Sequence, residues 1–186
     1  MTTLTVYSDA TGEKLDTLTD HEAIAARLAT LGVEFERWQA NAPLSADAGQ
    51  DEVLAAYRDE IELLNSRYGF KSIDVVSLGP DHPQKAEMRQ KFLAEHTHAD
   101  FEVRFFVDGC GLFYLHIGDR VYFVLCEKGD LLSVPGNTTH WFDMGTKPNF
   151  KCIRFFTRPD GWVGDFTGND IAQRFPSFDE FAASCS

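Results

Sequence analysis

His96 and His98 stand two residues apart, and Glu102 and Arg104 follow at even spacings. In an extended strand, side chains alternate between faces with a period of two. These four side chains therefore point the same way wherever the segment stays extended. Val103, Phe105 and Val107 point the other way and can bury in a core. Two nitrogens and an oxygen converging on one face form a mixed donor set for a metal ion. A bare His-x-His pair is more often two ordinary residues at a helix–strand junction; Glu102 on the same parity strengthens the metal reading. A fourth donor candidate lies downstream, where Gly129 to Val134 read as a strand, Pro135-Gly136 force a reversal, and His140 begins the returning strand. Arg104 shares the face of Glu102 and is placed to reach a bound anion, whose deprotonated form a fixed guanidinium would favour.

The elements that must hold these residues divide in two. Up to about residue 90, strands and helices alternate. Thr3–Tyr7 and Val33–Trp38 alternate as strands, and Asp20 can cap a helix carrying Ile24, Leu28 and Leu31 with Gly32 at its end. Asp47 with Gln50 resembles a capping box opening one long helix that carries Val53, Tyr57, Ile61, Leu64 and Tyr68 on one stripe and ends at Gly69. Ile73–Ser77 form a strand, and a third helix starts at Asp81 and Pro83 and runs through Leu93. From His96 to Thr157 the pattern changes to short strands punctuated by Asp108-Gly109, Gly111, Gly118-Asp119 and Lys128-Gly129-Asp130, with Gly118-Asp119 as a tight hairpin turn. This pattern predicts an antiparallel sandwich or small barrel. After Pro159 the text is turn-rich, and Ser177 with Glu180 caps a short terminal helix.

At 186 residues the chain is expected to be a single domain: residues 1–90 flank the barrel, 91–158 form its metal-binding core, and 159–186 supply a C-terminal loop and short helix. A formal charge of −12 argues against nucleic acid and against an anionic membrane surface. No signal peptide or membrane span is read, and the acidic excess fits a soluble monomer. Cys110, Cys126, Cys152 and Cys185 lack Cys-x-x-Cys spacing, so reduced thiols in a cytoplasmic protein, mostly buried and structural, are expected. His21, His82 and His116 have no partners in the pattern, and Glu95, off parity from the ligands, is assigned at most the orienting of a histidine.

Two runs match a family pattern. His96, His98, Glu102 and Gly109 fit the cupin motif His-x-His-x3-Glu-x6-Gly, and Gly129, Pro135 and His140 fit its partner Gly-x5-Pro-x4-His. Gln90 stands where a glycine is usual, and Gly136 comes one position early. Further matches run through Gly111-Leu112-Phe113-Tyr114, His140-Trp141-Phe142-Asp143-Met144-Gly145, Ile153-Arg154-Phe155-Phe156 and Gly161-Trp162-Val163. Together they resemble the acireductone dioxygenase family of methionine salvage. The resemblance implies a mostly β fold with flanking helices, a jelly-roll antiparallel barrel, and one Fe(II) or Ni(II) per chain held by His96, His98, Glu102 and His140. It implies that the substrates are acireductone, 1,2-dihydroxy-3-oxo-5-(methylthio)pentene, and O2. The iron form would give 4-methylthio-2-oxobutanoate and formate; the nickel form would give 3-methylthiopropanoate, formate and carbon monoxide. Arg104 would be catalytic and substrate-binding, with Arg154, Phe92, Phe142 and Trp162 as further substrate contacts. Three histidines and a carboxylate would leave two positions of an octahedron free, which suits a six-coordinate catalytic metal rather than tetrahedral structural zinc. Read without the resemblance, Arg154 could equally pair with a carboxylate and the aromatics could be core. A metal-dependent isomerase or epimerase, or a metal-braced binding module, then stays open.

Overall fold

The structure is a computed structural model describing residues 1–45 and 47–184. Cys185, one of the cysteines considered above, lies outside the described residues. In chain order the elements are β1 (Thr3–Ser8), β2 (Lys14–Leu18), α1 (His21–Ala29), β3 (Glu34–Arg37), α2 (Gln50–Ala56), α3 (Arg58–Tyr68), β4 (Ser72–Leu78) and α4 (Lys85–Leu93). There follow β5 (His96–Thr97), β6 (Glu102–Ile117), β7 (Arg120–Glu127), β8 (Asp130–Val134), β9 (Thr139–Asp143), β10 (Phe150–Phe156), β11 (Asp165–Phe166), a 3-10 turn (Ile171–Arg174) and α5 (Phe178–Ser184).

Two antiparallel sheets share β6. Its first half pairs with β8 and β10 in a sheet ordered β3-β8-β6-β10-β4. Its second half pairs with β7 and β9 in a sheet ordered β11-β5-β9-β6-β7-β1-β2. The crossing falls at Gly109, which has φ 65°. A Cβ there would lie 1.9 Å from the Asn149 carbonyl oxygen, so only glycine fits both the left-handed backbone and the close approach. The sequence pattern placed Asp108-Gly109 and Gly111 between short strands. The chain instead bends through them without leaving the ladder, and one strand serves both sheets.

Parity along β6 then decides what lies where. Phe106, Phe113 and Leu115 join Leu132, Val134, Phe142 and Cys152 in the apolar filling between the sheets. Val103, Phe105 and Val107 face outward and are buried with Val53, Tyr57 and Leu64 of the helical layer. On the other sheet, Tyr114, Phe123 and Trp141 are covered by Ile171, Phe175 and Phe181. The helices thus cap the outer apolar faces that an open sandwich would expose to water.

Several local expectations are corrected. The single helix expected from Asp47 to Gly69 is broken at Tyr57 (φ −113°, ψ 29°), whose ring meets Phe105 edge-on at 5.5 Å. Gly49, not Asp47, precedes the helix, and the Gln50 side chain accepts the Val75 amide instead of closing a capping box. Gly69 does end α3 in the left-handed region. The third helix begins at Lys85, beyond Asp81 and Pro83. Asp20 caps α1 through the Ala23 amide at 2.9 Å, but Thr30 closes it and Gly32 follows two residues on. Ser177 and Glu180 form the expected reciprocal cap. Gly109→Ala is expected to cost at least about 2 kcal/mol of stability. A urea midpoint equal to that of the unaltered chain would refute the role assigned to this bend.

Candidate active site

At the mouth of the barrel three histidines gather from separate segments. His96 lies in β5, His98 in the loop that follows it, and His140 in β9, where it is in register with His96. One ring nitrogen from each lies within 4.8 Å of the others, and all three side chains are buried. Each Nδ1 faces a backbone carbonyl: Ala94 at 2.7 Å for His96, Val163 at 2.9 Å for His98, and Thr138 at 2.7 Å for His140. A carbonyl can only accept, so Nδ1 carries the proton, and in the neutral ring Nε2 presents a lone pair. The backbone thereby orients each ring, as metal-binding histidines require.

Glu102, at the start of β6, completes the cluster. Its Oε2 lies 3.2 Å from His98 Nε2 and 3.0 Å from His140 Nε2, while Oε1 accepts from Arg104 Nε at 2.5 Å. Lone pairs of neutral imidazoles facing a carboxylate oxygen at these distances would repel. A cation between them removes the conflict, and the donor set of imidazole nitrogen and carboxylate oxygen fits a divalent first-row metal. Without a metal the protons must serve instead, and the shifts follow. Burial lowers His96 from 6.5 to about 4, with the charge of His140 adding to it. Burial acts against the charged form of His98 too, yet the hydrogen bond and charge of Glu102 together outweigh it and raise that ring. Glu102 is itself driven up by burial but held well below the usual carboxylate range by Arg104 and the two histidines.

Arg104 is buried among aromatic rings. Its guanidinium carbon lies 5.0 Å from the centroids of both Phe113 and Phe142 and 5.9 Å from that of Phe92. Nε is paired with Glu102, but the buried Nη1 has no hydrogen-bond partner. Leaving such a donor unmet is unfavourable by about 1–3 kcal/mol or more, which makes it a place for a ligand oxygen.

A cavity of about 450 Å³ opens here, lined among others by Phe92, His96, His98, Arg104, Arg154 and Trp162. Of the residues singled out from sequence, Glu102 touches His98, His140 and Arg104. Phe142, expected as a substrate contact, does not line the cavity but is buried in the core behind Arg104, against whose guanidinium it packs. Gly111 makes room for Phe142, since a Cβ at that position would lie 2.3 Å from the ring. Arg154 lines the cavity with its guanidinium already in a two-pronged pair to Asp74, at 2.8 and 2.6 Å. Trp162 stands on the rim, 55% exposed, beside Val163, Gly164 and Phe166. Sequence reasoning gave no site role to Asp74, Gly164 or Phe166; strand pairing sets Asp74 opposite Arg154 and Phe166 opposite His96, and Gly164 lies in the loop before β11. It also gave His116 no partner, whereas the structure sets that ring between Glu95 (2.9 Å) and Asp9 (3.3 Å). Among the described residues no helix is long and apolar enough to cross a membrane.

Two sheets sharing a bent strand around a three-histidine centre make this a cupin barrel. The chain belongs to the ARD/ARD′ family, whose sequence profile matches residues 3–164. It is 59% identical to the acireductone dioxygenase of Methylococcus capsulatus, over 97% of each chain. It is 55% identical to that of Aquifex aeolicus, over 97% of this chain and 98% of the relative. A solved acireductone dioxygenase from Bacillus anthracis, described with a cadmium ion in its active center, superposes with a TM-score of 0.73 at 31% identity. That match covers 87% of this chain and 97% of the other.

The electrostatics give a direct test in metal-free protein. Histidine-resolved NMR should titrate His96 well below 6.5 and His98 above it. His96 therefore contributes stability at neutral pH that is lost as pH falls from 6.5 through about 4, because the unfolded chain takes up a proton that the fold refuses. The reverse order of the two rings would contradict this account.

Proposed function

We propose that this chain is an acireductone dioxygenase that cleaves 1,2-dihydroxy-3-oxo-5-(methylthio)pentene with O2 in methionine salvage. The observation that carries the reading is the orphaned Arg104 Nη1 beside three histidines whose Nε2 lone pairs converge with Glu102. His96, His98, Glu102 and His140 would hold one Fe(II) or Ni(II) per chain. The metal, when bound, supplies a Lewis acid and template at which substrate and oxygen meet.

The remaining steps belong to the protein. Arg104 donates Nη1 to an oxygen of the substrate enediolate, keeping it deprotonated, while its Nε continues to brace Glu102. The ring faces of Phe92, Phe113 and Phe142 keep the guanidinium dry, and a charge in a water-poor site acts more strongly. Arg154, oriented by its two-pronged pair with Asp74, adds a guanidinium to the wall. The methylthio tail lies toward the apolar rim around Trp162, which excludes water from the reacting carbons. With Fe(II) held by these residues the products would be 4-methylthio-2-oxobutanoate and formate; with Ni(II) they would be 3-methylthiopropanoate, formate and carbon monoxide. The enzyme would act as a cytoplasmic monomer.

Metal-stripped protein reloaded separately with Fe(II) and Ni(II) should consume oxygen with acireductone and yield different products. Uptake no faster than the substrate's own oxidation would refute the assignment. Arg104→Lys should retain metal but lose about 10- to 100-fold in kcat/KM, since a lysine cannot brace Glu102 and reach the substrate together. An unchanged kcat/KM would remove Arg104 from the reaction.

A further inference from the structure

The six residues Glu95 to Asp100 carry two of the clustered histidines, and a single downstream segment, Thr157 to Thr167, runs antiparallel along them. At one end the Asp100 carboxylate accepts the Thr157 hydroxyl and, at 2.8 Å, the Arg158 amide. In the middle the Val163 carbonyl accepts from His98 Nδ1 at 2.9 Å. Asp165 and Phe166 then pair with Thr97 and His96. At the far end Thr167 bonds Glu95 through its amide, to the carbonyl at 3.1 Å, and through its hydroxyl, to the carboxylate at 2.7 Å and the carbonyl at 3.5 Å.

Both terminal carboxylates are buried, Asp100 at 6% and Glu95 at 3% exposure, and each is braced from behind. Asp100 also accepts the Phe101 amide at 2.8 Å, and Glu95 faces His116, whose other nitrogen meets Asp9. Gly161 and Gly164 let the segment lie close. A Cβ on Gly161 would fall 2.6 Å from Asp100 Oδ2, and one on Gly164 would fall 3.3 Å from the His96 ring. Between the anchors the segment offers the exposed side chains of Trp162, Val163 and Phe166, the apolar rim of the cavity.

We propose that residues 157–167 form a strap over the cavity, and that Asp100 and Glu95 are positioning residues that clamp its two ends to the histidine-bearing segment. The strap supplies the wall that confines the substrate, and through Val163 it also sets the ring of His98. A charge-assisted hydrogen bond inside a protein is among the stronger local restraints, so two such clamps hold a segment with little regular structure of its own.

The test changes the strap side alone, leaving Asp100, Glu95 and the histidines intact. Thr167→Val removes the side-chain hydrogen bonds of one clamp while leaving its backbone bond, and Thr167→Ser keeps the hydroxyl as the control. In the full-length, metal-loaded protein, hydrogen exchange at the amides of residues 163–167 is expected to quicken about tenfold in Thr167→Val and to return toward the original rate in Thr167→Ser. Resting on the dioxygenase reading, KM for acireductone should rise several-fold while metal content stays constant. Exchange unaltered in Thr167→Val would overturn the clamp, and faster exchange without a change in KM would overturn the strap's role in confinement. The exchange readout needs no turnover, so failure of the proposed reaction would be recognised separately.

Discussion

A carboxylate with only 1% of its surface exposed governs this structure. Glu102 is an ion buried in a low-dielectric barrel, and such a group persists only where partners offset its lost hydration. Arg104 supplies one partner and the rings of His98 and His140 face the other oxygen. Arg104 in turn depends on Glu102 for its one paired nitrogen at this point, and on aromatic faces for the rest of its surroundings. Removing either ion would strand the other. The centre is therefore one coupled unit of charges.

The barrel exists to bring that unit together from distant parts of the chain. Because β6 bends at Gly109 and serves both sheets, Glu102 and Arg104 enter from one half while the other half registers Leu115 against His140. The same alternation sends Phe105 outward to Tyr57 and Phe106 inward to Phe113 and Phe150. A one-residue slip would exchange these faces and put the arginine under the helices. The bend and the centre are thus consequences of one register.

How much of this was legible depended on whether the cause was local. Period-two spacing placed Glu102 and Arg104 together because they do lie in one strand. It also grouped His96 with His98, although β5 covers only His96 and Thr97 before the chain turns. Turn chemistry at Gly118-Asp119 and the cap at Ser177 were readable because each is satisfied within a few residues. The break at Tyr57 was not, since it coincides with the meeting of that ring and Phe105 on a distant strand. Gly109 reads as a stop in sequence and acts as a bend, because its neighbour Asn149 arrives from far along the chain. His116 looked idle for the same reason: both of its carboxylate partners are remote in sequence.

The central claim is that these three imidazoles and one carboxylate surround a single metal ion. X-ray absorption at the metal edge of the iron-loaded protein measures that environment directly. The account predicts scattering from three imidazole rings, with only nitrogen and oxygen donors and no sulfur. A sulfur shell, or fewer than three rings in the fully loaded protein, would place the metal elsewhere and contradict the centre described here.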